Sequence, residues 1–305
     1  MSDTRYLPVP DALIGERADV AVARMLGMSR TKAAELLDGG GVSLEGATVG
    51  RSDTVRDGIL AVDIPQPKAA MPEPTIPGGL KVVYEDSDIA VIDKPVGVAA
   101  HPSPGWEGPT VTGALADAGI TLAAEGPAER QGIVHRLDVG TSGLMVVAKT
   151  GPAYSTLKRA FKERTIEKVY HAVAQGHLEP TEGTIDAPIG RHPSSDYKFA
   201  VVEGGRPSIT HYKVLEMFPS ASLVEVHLET GRTHQIRVHM TSMRHPLVGD
   251  LTYGADPVQA KKLHLTRQWL HAKELAFAHP TRGDELRVVS EYPEDLATAL
   301  AQLRG

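Results

Sequence analysis

Cysteine is absent from the 305 residues, which excludes disulfide bonds, thiol nucleophiles and cysteine-ligated metal sites. Long apolar runs are missing too. No stretch of about eighteen consecutive apolar residues is present, so we predict no transmembrane helix. The opening residues, MSDTRYLPVPDALIGE, have neither a basic start nor an apolar segment. We therefore expect no signal peptide, no membrane association and a cytoplasmic location.

Several motifs of cofactor and metal chemistry are also missing. There is no G-x-x-x-x-G-K-[ST] loop and no G-x-G-x-x-G after a strand, so no nucleotide cofactor is predicted. The HRLD sequence lacks the glycine-rich loop, the V-A-I-K lysine and the D-F-G of protein kinases. His234 and His239 are five residues apart, which on a helix directs their side chains to different faces. We predict neither a cofactor nor a metal site.

Negative charge is in excess over the whole chain, with a formal net charge of −6. This balance argues against a generic nucleic-acid-binding protein, which is usually basic. Two segments differ from the average. Six bases and two acids lie between Lys149 and His171, and the segment from Gly231 to Gly249 has three arginines and no acid. A chain of negative net charge can still present a basic groove to a ligand.

The segment Gln66–Gly79, QPKAAMPEPTIPGG, has four prolines and two glycines and predicts a linker. It divides the chain into a small domain over residues 12–65 and a large one over residues 80–305. The small domain has helical patterns at Ala18–Leu26 and Ser29–Leu37, with Ser29 as N-cap. A hairpin signal follows at Glu45-Gly46, and another turn at Asp57-Gly58 precedes a last strand. So few residues bury too little surface for a large pocket, which favours an accessory module.

Strand patterns dominate the large domain, among them SGLMVVAKT, KVYHAVAQG, PSITHYKVLEMF and ASLVEVHLE. Helical patterns lie between them at Pro152–Arg164 and Thr233–Ser242. Strands at hairpin spacing with helices between them predict an α+β domain, built on a large, mixed and mostly antiparallel sheet.

Two charged clusters are candidates for chemistry. The first, HRLD, holds His135, Arg136 and Asp138 just before an apolar strand, and the second, GRTHQIRVHM, holds Arg232 and Arg237. An unpaired carboxylate beside a buried strand is costly, so we predict an ion pair between Asp138 and an arginine of the second cluster. A purely structural salt bridge and a functional one are equally compatible with these charges.

The two clusters belong to a series of motifs that resembles the pseudouridine synthases of ribosomal RNA. HRLDVGTSGLMVVAKT, KVYHAVAQG, GRTHQIRVHM, HPLVGDLTYG and WLHAKELAFAHP occur in that family's order and cover most of Leu80–Val289. The resemblance implies the pseudouridine synthase fold and a cofactor-free isomerisation, in which the glycosidic bond of a uridine is broken, the base rotates and carbon five rejoins the sugar. It favours the branch that acts on large-subunit rRNA.

The resemblance also implies roles for single residues. Asp138 would be the catalytic carboxylate, with Arg237 as its partner and Arg232 as a second choice, and Tyr170 would stack on the uracil and transfer a proton. Arg136 would fill the stack left by the extruded base, as a planar guanidinium can. RNA contacts are expected from Arg136, Arg232, His135 and His234. Of the two histidines, His135 is expected to orient its loop rather than to react.

The small domain resembles the RNA-binding domain named after ribosomal protein S-four, through MLGMSRTKAAELLDGGGVSLEGATV. In that family the second helix and the hairpin contact RNA, which nominates Arg30 and Lys32 here. Glu35 and Asp38 lie among these cations, whereas the family's helix is more basic, so a weaker RNA contact is expected.

The resulting prediction is a monomeric rRNA pseudouridine synthase with RNA as its partner. Three alternatives remain open at this point. The substrate could be tRNA, the chain could be a non-catalytic RNA-binding protein of ribosome assembly, or its histidines could serve a metal-dependent RNA hydrolase.

Overall fold

The computed structural model describes residues 3–28, 30–64, 80–103 and 105–305. The chain divides into two compact units, Met1–Pro72 and Glu73–Gly305. The linker predicted at residues 66–79 and the N-cap predicted at Ser29 lie outside the described residues. The domain boundaries at residues 12–65 and 80–305 therefore stay predictions.

The first unit combines two helices with a small antiparallel sheet. Its elements are β1 (Asp3–Pro8), α1 (Ala18–Leu26), α2 (Arg30–Asp38), β2 (Val42–Leu44), β3 (Ala47–Thr48) and β4 (Ile59–Ile64). The strand order is β1-β4-β2-β3 among the described residues. Val22 of α1, Leu37 of α2 and Leu60 of β4 are almost fully buried in one hydrophobic cluster. Both predicted helices and the hairpin are present, whereas β1 was not predicted from the sequence.

The second unit holds the remaining helices and strands. In chain order they are β5 (Lys81–Glu85), β6 (Ile89–Lys94), α3 (Val111–Asp117), β7 (Ser142–Ala148), α4 (Gly151–Glu163), β8 (Glu167–Gln175), β9 (Glu182–Asp186), β10 (Ile189–His192), β11 (Ser195–Val201), β12 (Ile209–Phe218), β13 (Ala221–Leu228), α5 (Gln235–Ser242), α6 (Pro257–Lys262), β14 (Leu270–Ala278), β15 (Glu285–Val289) and α7 (Glu294–Arg304). Between residues 80 and 305, leaving aside the undescribed residue 104, nine strands form one sheet. Its order is β5-β6-β7-β14-β8-β13-β12-β9, with β15 paired to β14.

The sheet is mixed, because β7 and β14 pair in parallel while the other neighbouring strands pair antiparallel. Strand β7 is buried along its whole length, which explains why its sequence is continuously apolar rather than alternating. Met145 and Leu115 of α3 share one cluster, and Leu144 and Leu157 of α4 share another. Helices thus cover both faces of β7, and the predicted α+β class is confirmed.

Backbone contact between β7 and β14 fixes where the HRLD loop ends. Gly143 has φ +110°, and a Cβ at that position would lie 2.3 Å from the carbonyl oxygen of Ala272. Only glycine fits such an approach without displacing the backbone. In the same register Ser142 pairs with His271, and Ala272 pairs with Tyr170 on β8. The end of the HRLD loop and Tyr170 therefore lie on either side of β14, on two strands that both pair with it.

Candidate active site

A cleft of about 950 Å³ opens in the second unit, where the HRLD loop, α4, β8 and the segment before α5 converge. Eight lysines and arginines line it against three acidic residues, although the whole chain has an excess of acids. The basic groove that the local charge pattern indicated is therefore present, and both charged clusters contribute to it.

Asp138 lies in this cleft beside the second cluster. Its Oδ2 atom is 3.6 Å from Nη1 of Arg237 and 3.9 Å from Nε2 of His234, and its side chain is 18% exposed. The carbonyl of Asp138 accepts a hydrogen bond from the amide of Thr141 at 3.0 Å, which closes a tight turn before β7. The predicted ion pair between Asp138 and an arginine is present. Arg237 makes it, whereas Nε of Arg232 donates to the carbonyl of Pro207.

Arg237 is held in place by a carboxylate that sequence reasoning missed. Its Nε and Nη2 donate to the two carboxylate oxygens of Asp250 at 2.7 and 2.9 Å, and its guanidinium lies 4.8 Å from the ring centre of Tyr253. Burial lowers the pKa of Arg237, but the hydrogen bonds and charge of Asp250 outweigh it and raise the pKa. Arg237 thus pairs with two carboxylates. It makes two short hydrogen bonds to Asp250 and a longer ion pair with Asp138.

Asp250 stands in the loop after α5, within the HPLVGDLTYG motif. The sequence contained one usable signal for it, since a buried arginine on a helix needs a carboxylate in hydrogen-bonding contact. The predicted helix Thr233–Ser242 starts two residues later than expected, at Gln235. His234 has a left-handed backbone with φ 57°, which a helical residue does not adopt.

Tyr170 is buried on β8 and lines the same cleft. Its hydroxyl has no hydrogen-bond partner within the described part of the chain. Burial, with a smaller contribution from the charge of Asp138, raises the pKa of this phenol. The hydroxyl is therefore protonated at neutral pH and available to a ligand.

His135 and Arg136 are neighbours with different environments. The Nε2 atom of His135 accepts a hydrogen bond from the amide of Val146 at 3.0 Å, and its ring stacks on Phe161 with 4.5 Å between centroids. Burial lowers the pKa of His135 to about 3, so the ring is neutral. Its Nε2 is occupied by the backbone, which fits an orienting role in the loop. Arg136 is exposed at the cleft.

His234 connects Asp138 to the far wall of the cleft. Its Nδ1 is 2.8 Å from the hydroxyl of Tyr253, and that hydroxyl accepts a hydrogen bond from the amide of Phe199 on β11 at 3.0 Å. Burial lowers the pKa of His234. The neighbouring hairpin β10–β11 is thereby attached to a side chain that faces the candidate catalytic carboxylate.

Two buried cations support the turn that carries Asp138. Lys94, the fully buried last residue of β6, donates to the carbonyls of Pro95 and Val98 at 3.0 and 2.9 Å and reaches the carbonyl of Val139 in the turn at 3.5 Å. Burial lowers its pKa to about 7. From another direction, Nη1 of Arg267 donates to the carbonyl of Gly140 at 3.1 Å.

Arg267 is itself fixed by α7, because its Nε and Nη2 donate to the carboxylate of Asp295 at 2.7 and 2.9 Å. A hydrogen-bonded chain therefore runs from α7 through Arg267 to the turn of Asp138. Sequence reasoning did not identify this contact, since its members are widely separated along the chain.

Arg30 and Lys32 lie on α2 in the first unit and do not line the cleft. The guanidinium of Arg30 pairs with Asp19 at 2.9 Å while its side chain stays 61% exposed. Both residues have exposed side chains, as a contact with RNA would require.

Across the ranges that the structure describes, no group of three or more histidine, aspartate or glutamate side chains is placed to hold a metal ion. No helix among the described residues is long and apolar enough to cross a membrane.

Comparison with known proteins identifies the family. A family model for RNA pseudouridylate synthases matches residues 88–242, which include the HRLD loop, Tyr170 and α5. The chain belongs to the RNA pseudouridine synthases. It is therefore an isomerase that converts uridine in RNA to pseudouridine, and the alternatives of a non-catalytic protein and an RNA hydrolase are not supported.

The similarity extends over whole chains. An uncharacterized RNA pseudouridine synthase of Mycobacterium bovis is 56% identical over 303 residues, covering 99% of this chain and 98% of that one. The ribosomal large subunit pseudouridine synthase D of Xanthomonas campestris is 40% identical over 317 residues, covering 99% and 93%. The solved structure of human RNA pseudouridylate synthase domain containing 4 has a TM-score of 0.58 at 27% identity, covering 73% of this synthase and 93% of the human chain.

Proposed function

We propose that this synthase isomerises uridines of large-subunit ribosomal RNA, with Asp138 as the catalytic carboxylate. Relatives named for that substrate match 99% of the chain, including the first unit. The catalytic role of Asp138 is supported by its position in a basic cleft, 3.6 Å from the buried guanidinium of Arg237. A fixed opposite charge at this distance orients the carboxylate.

The target uridine has to leave the RNA stack before it can reach Asp138, at a cost of a few kcal/mol. Arg136, exposed at the cleft, is placed to fill the vacated position with its planar guanidinium. The ring of Tyr170 then offers a surface for the uracil within the cleft.

The first chemical step uses the Asp138 carboxylate in either of two ways. It attacks the anomeric carbon, or it removes the proton from the neighbouring sugar carbon, and in both cases the uracil leaves with the electron pair of the glycosidic bond. After the base has rotated, carbon five forms the new bond to the anomeric carbon. In the first route the ester bond to Asp138 breaks as this bond forms, and in the second the neighbouring sugar carbon takes its proton back from Asp138. Carbon five then loses its own proton. The protonated hydroxyl of Tyr170 can hydrogen-bond the detached uracil and relay that proton.

Tritium at carbon five of uridine reports this reaction, because the isomerisation releases it into water. We expect release from unmodified large-subunit rRNA with the wild-type protein and none with Asp138→Asn, which keeps the size of the side chain and still binds RNA. Equal release by both proteins would refute the role of Asp138. Release from tRNA but not from rRNA would refute the proposed substrate and leave the chemistry intact.

We further propose that the first unit contacts RNA through Arg30 and Lys32, and that the enzyme acts as a monomer in the cytoplasm. The exposure of both cations on α2 supports the RNA contact. Replacing both by Gln should weaken binding to rRNA severalfold, measured by filter binding. Unchanged affinity would contradict this part of the proposal.

A further inference from the structure

Three cations of α4 stand at the rim of the cleft. Lys158, Arg159 and Lys162 are exposed and line the cleft. No hydrogen bond or ion pair engages any of the three within the described part of the chain. Other cations of this region do have carboxylate partners, since Arg164 pairs with Glu229 at 2.8 Å and Lys149 with Glu85.

The orientation of α4 is fixed, so the position of these cations is a property of the fold. Ala153 and Leu157 are fully buried against β7, which turns the opposite face of the helix outward. Lys158 and Lys162 are four residues apart and therefore lie above one another on that outward face. The hydrophobic anchoring holds the positive charges beside the cleft.

A smaller cavity of about 230 Å³ continues the cleft past Arg136. Arg136 and Lys158 line both cavities, and His101, Arg130 and Tyr154 also line the smaller one. The concave surface therefore extends beyond the space that a single extruded uridine would occupy, and its extension runs along the basic side of α4.

An uncompensated cluster of cations in a chain of net charge −6 favours a polyanionic ligand at that place. RNA meets this requirement through its regularly spaced phosphates. Lysine and arginine side chains that contact phosphates position a nucleic acid without reading its sequence.

We propose that Lys158, Arg159 and Lys162 bind backbone phosphates of the nucleotides next to the target uridine, so that the RNA strand runs from the cleft past Arg136 and along α4. This inference rests on the proposed function, because it takes RNA as the ligand of the cleft. The cations hold the RNA strand, and Asp138 acts on the one nucleotide whose base has left the stack.

The salt dependence of RNA binding tests this path. The first variant carries Lys158→Gln, Arg159→Gln and Lys162→Gln. A matched control carries Lys213→Gln, Lys261→Gln and Lys262→Gln, three exposed cations of the same unit that do not line the cleft. Both variants lose three positive charges, and both are made with Asp138→Asn so that binding to unmodified large-subunit rRNA is measured without turnover.

We expect the logarithm of the binding constant to depend less on the logarithm of salt concentration in the α4 variant, with a slope reduced by roughly 2 to 3 for three lost phosphate contacts. The control variant should keep the slope of the parent protein. Equal slopes in the two triple variants would overturn the proposed path. If the α4 triple variant does not fold, the single change Lys162→Gln should still reduce the slope by about 1, and no reduction would again overturn it.

The two proposals fail in different ways. Tritium release from rRNA with unchanged slopes would refute the RNA path alone. A reduced slope in the α4 variant, together with release only from tRNA, would refute the proposed substrate and keep the path.

Discussion

Replacing Asp250 by Asn separates the two carboxylates that share Arg237. Asp250 makes two close hydrogen bonds to the guanidinium, and its side chain is 1% exposed against 8% for Arg237. Breaking such a buried pair costs about 3–5 kcal/mol, because a buried charge is left without its partner. For a unit of this size that free energy lowers Tm on the order of 10 °C.

Asp138→Asn is the matched comparison, since it removes the other carboxylate next to the same guanidinium. Its contact with Arg237 is longer, at 3.6 Å, and its side chain is 18% exposed. A pair of this kind contributes less than about 1 kcal/mol, so Tm should change by a few degrees at most.

Activity should distinguish the same two variants in another way. Without Asp250, Arg237 shifts relative to Asp138, and a displacement on the order of 1 Å lowers kcat about 10²-fold. Asp138→Asn should remove tritium release altogether while the fold is retained. Thermal unfolding followed by circular dichroism, together with single-turnover tritium release, measures both effects. If Asp250→Asn unfolds at the wild-type temperature, or if Asp138→Asn is the less stable variant, the assignment of anchor and catalyst is wrong.

Three further predictions concern the surroundings of the site. Tyr170→Phe should lower kcat by about 10²-fold or more, because it removes the hydroxyl that relays the proton. It should change Tm little, because that hydroxyl has no partner in the described protein. Full single-turnover activity would exclude the hydroxyl from proton transfer. Arg267→Lys should lower kcat at unchanged RNA affinity, because Lys cannot bind both Asp295 and the Gly140 carbonyl in the same geometry. A rise in the Kd for RNA by the same factor as the fall in kcat would contradict a positioning role. Burial lowers the pKa of His271 to about 3 from 6.5, so the unfolded chain binds a proton that the native protein does not. The free energy of unfolding should therefore fall by up to about 1.4 kcal/mol per pH unit below pH 6.5, and urea unfolding of His271→Asn should show a shallower pH dependence.

A pair between Asp138 and an arginine of the second cluster could be predicted because an unpaired buried charge is costly, and the family resemblance pointed to Arg237. A carboxylate just before a buried strand needed a cation, and a helix predicted to begin near residue 233 directs Arg237 inward. The continuous apolar run of β7 similarly predicted a buried strand. Patterns of this kind lie within one segment. They are sufficient to predict a structural feature when that feature depends on the residues of that segment alone.

Contacts between distant segments were not predictable in the same way. Asp250 lies in a loop whose sequence has no period, and Arg267 reaches Gly140 across 127 residues. Strand β1 was missed because its partner β4 is separated from it by both helices of the first unit. Which polar group meets which is decided by sheet register, and register follows from the packing of the whole unit.

The contact between Arg267 and Gly140 also has a consequence for the time at which the enzyme becomes active. A ribosome that synthesises about 5–20 residues per second completes Arg267 roughly 6–25 s after Gly140, and Asp295 later still. During that interval the nascent chain already contains Asp138 and Lys94 but lacks Arg267, which binds the turn, and Asp295, which fixes Arg267. We expect the growing polypeptide to stay inactive until α7 has been synthesised, so RNA in its vicinity is not modified by an unfinished chain.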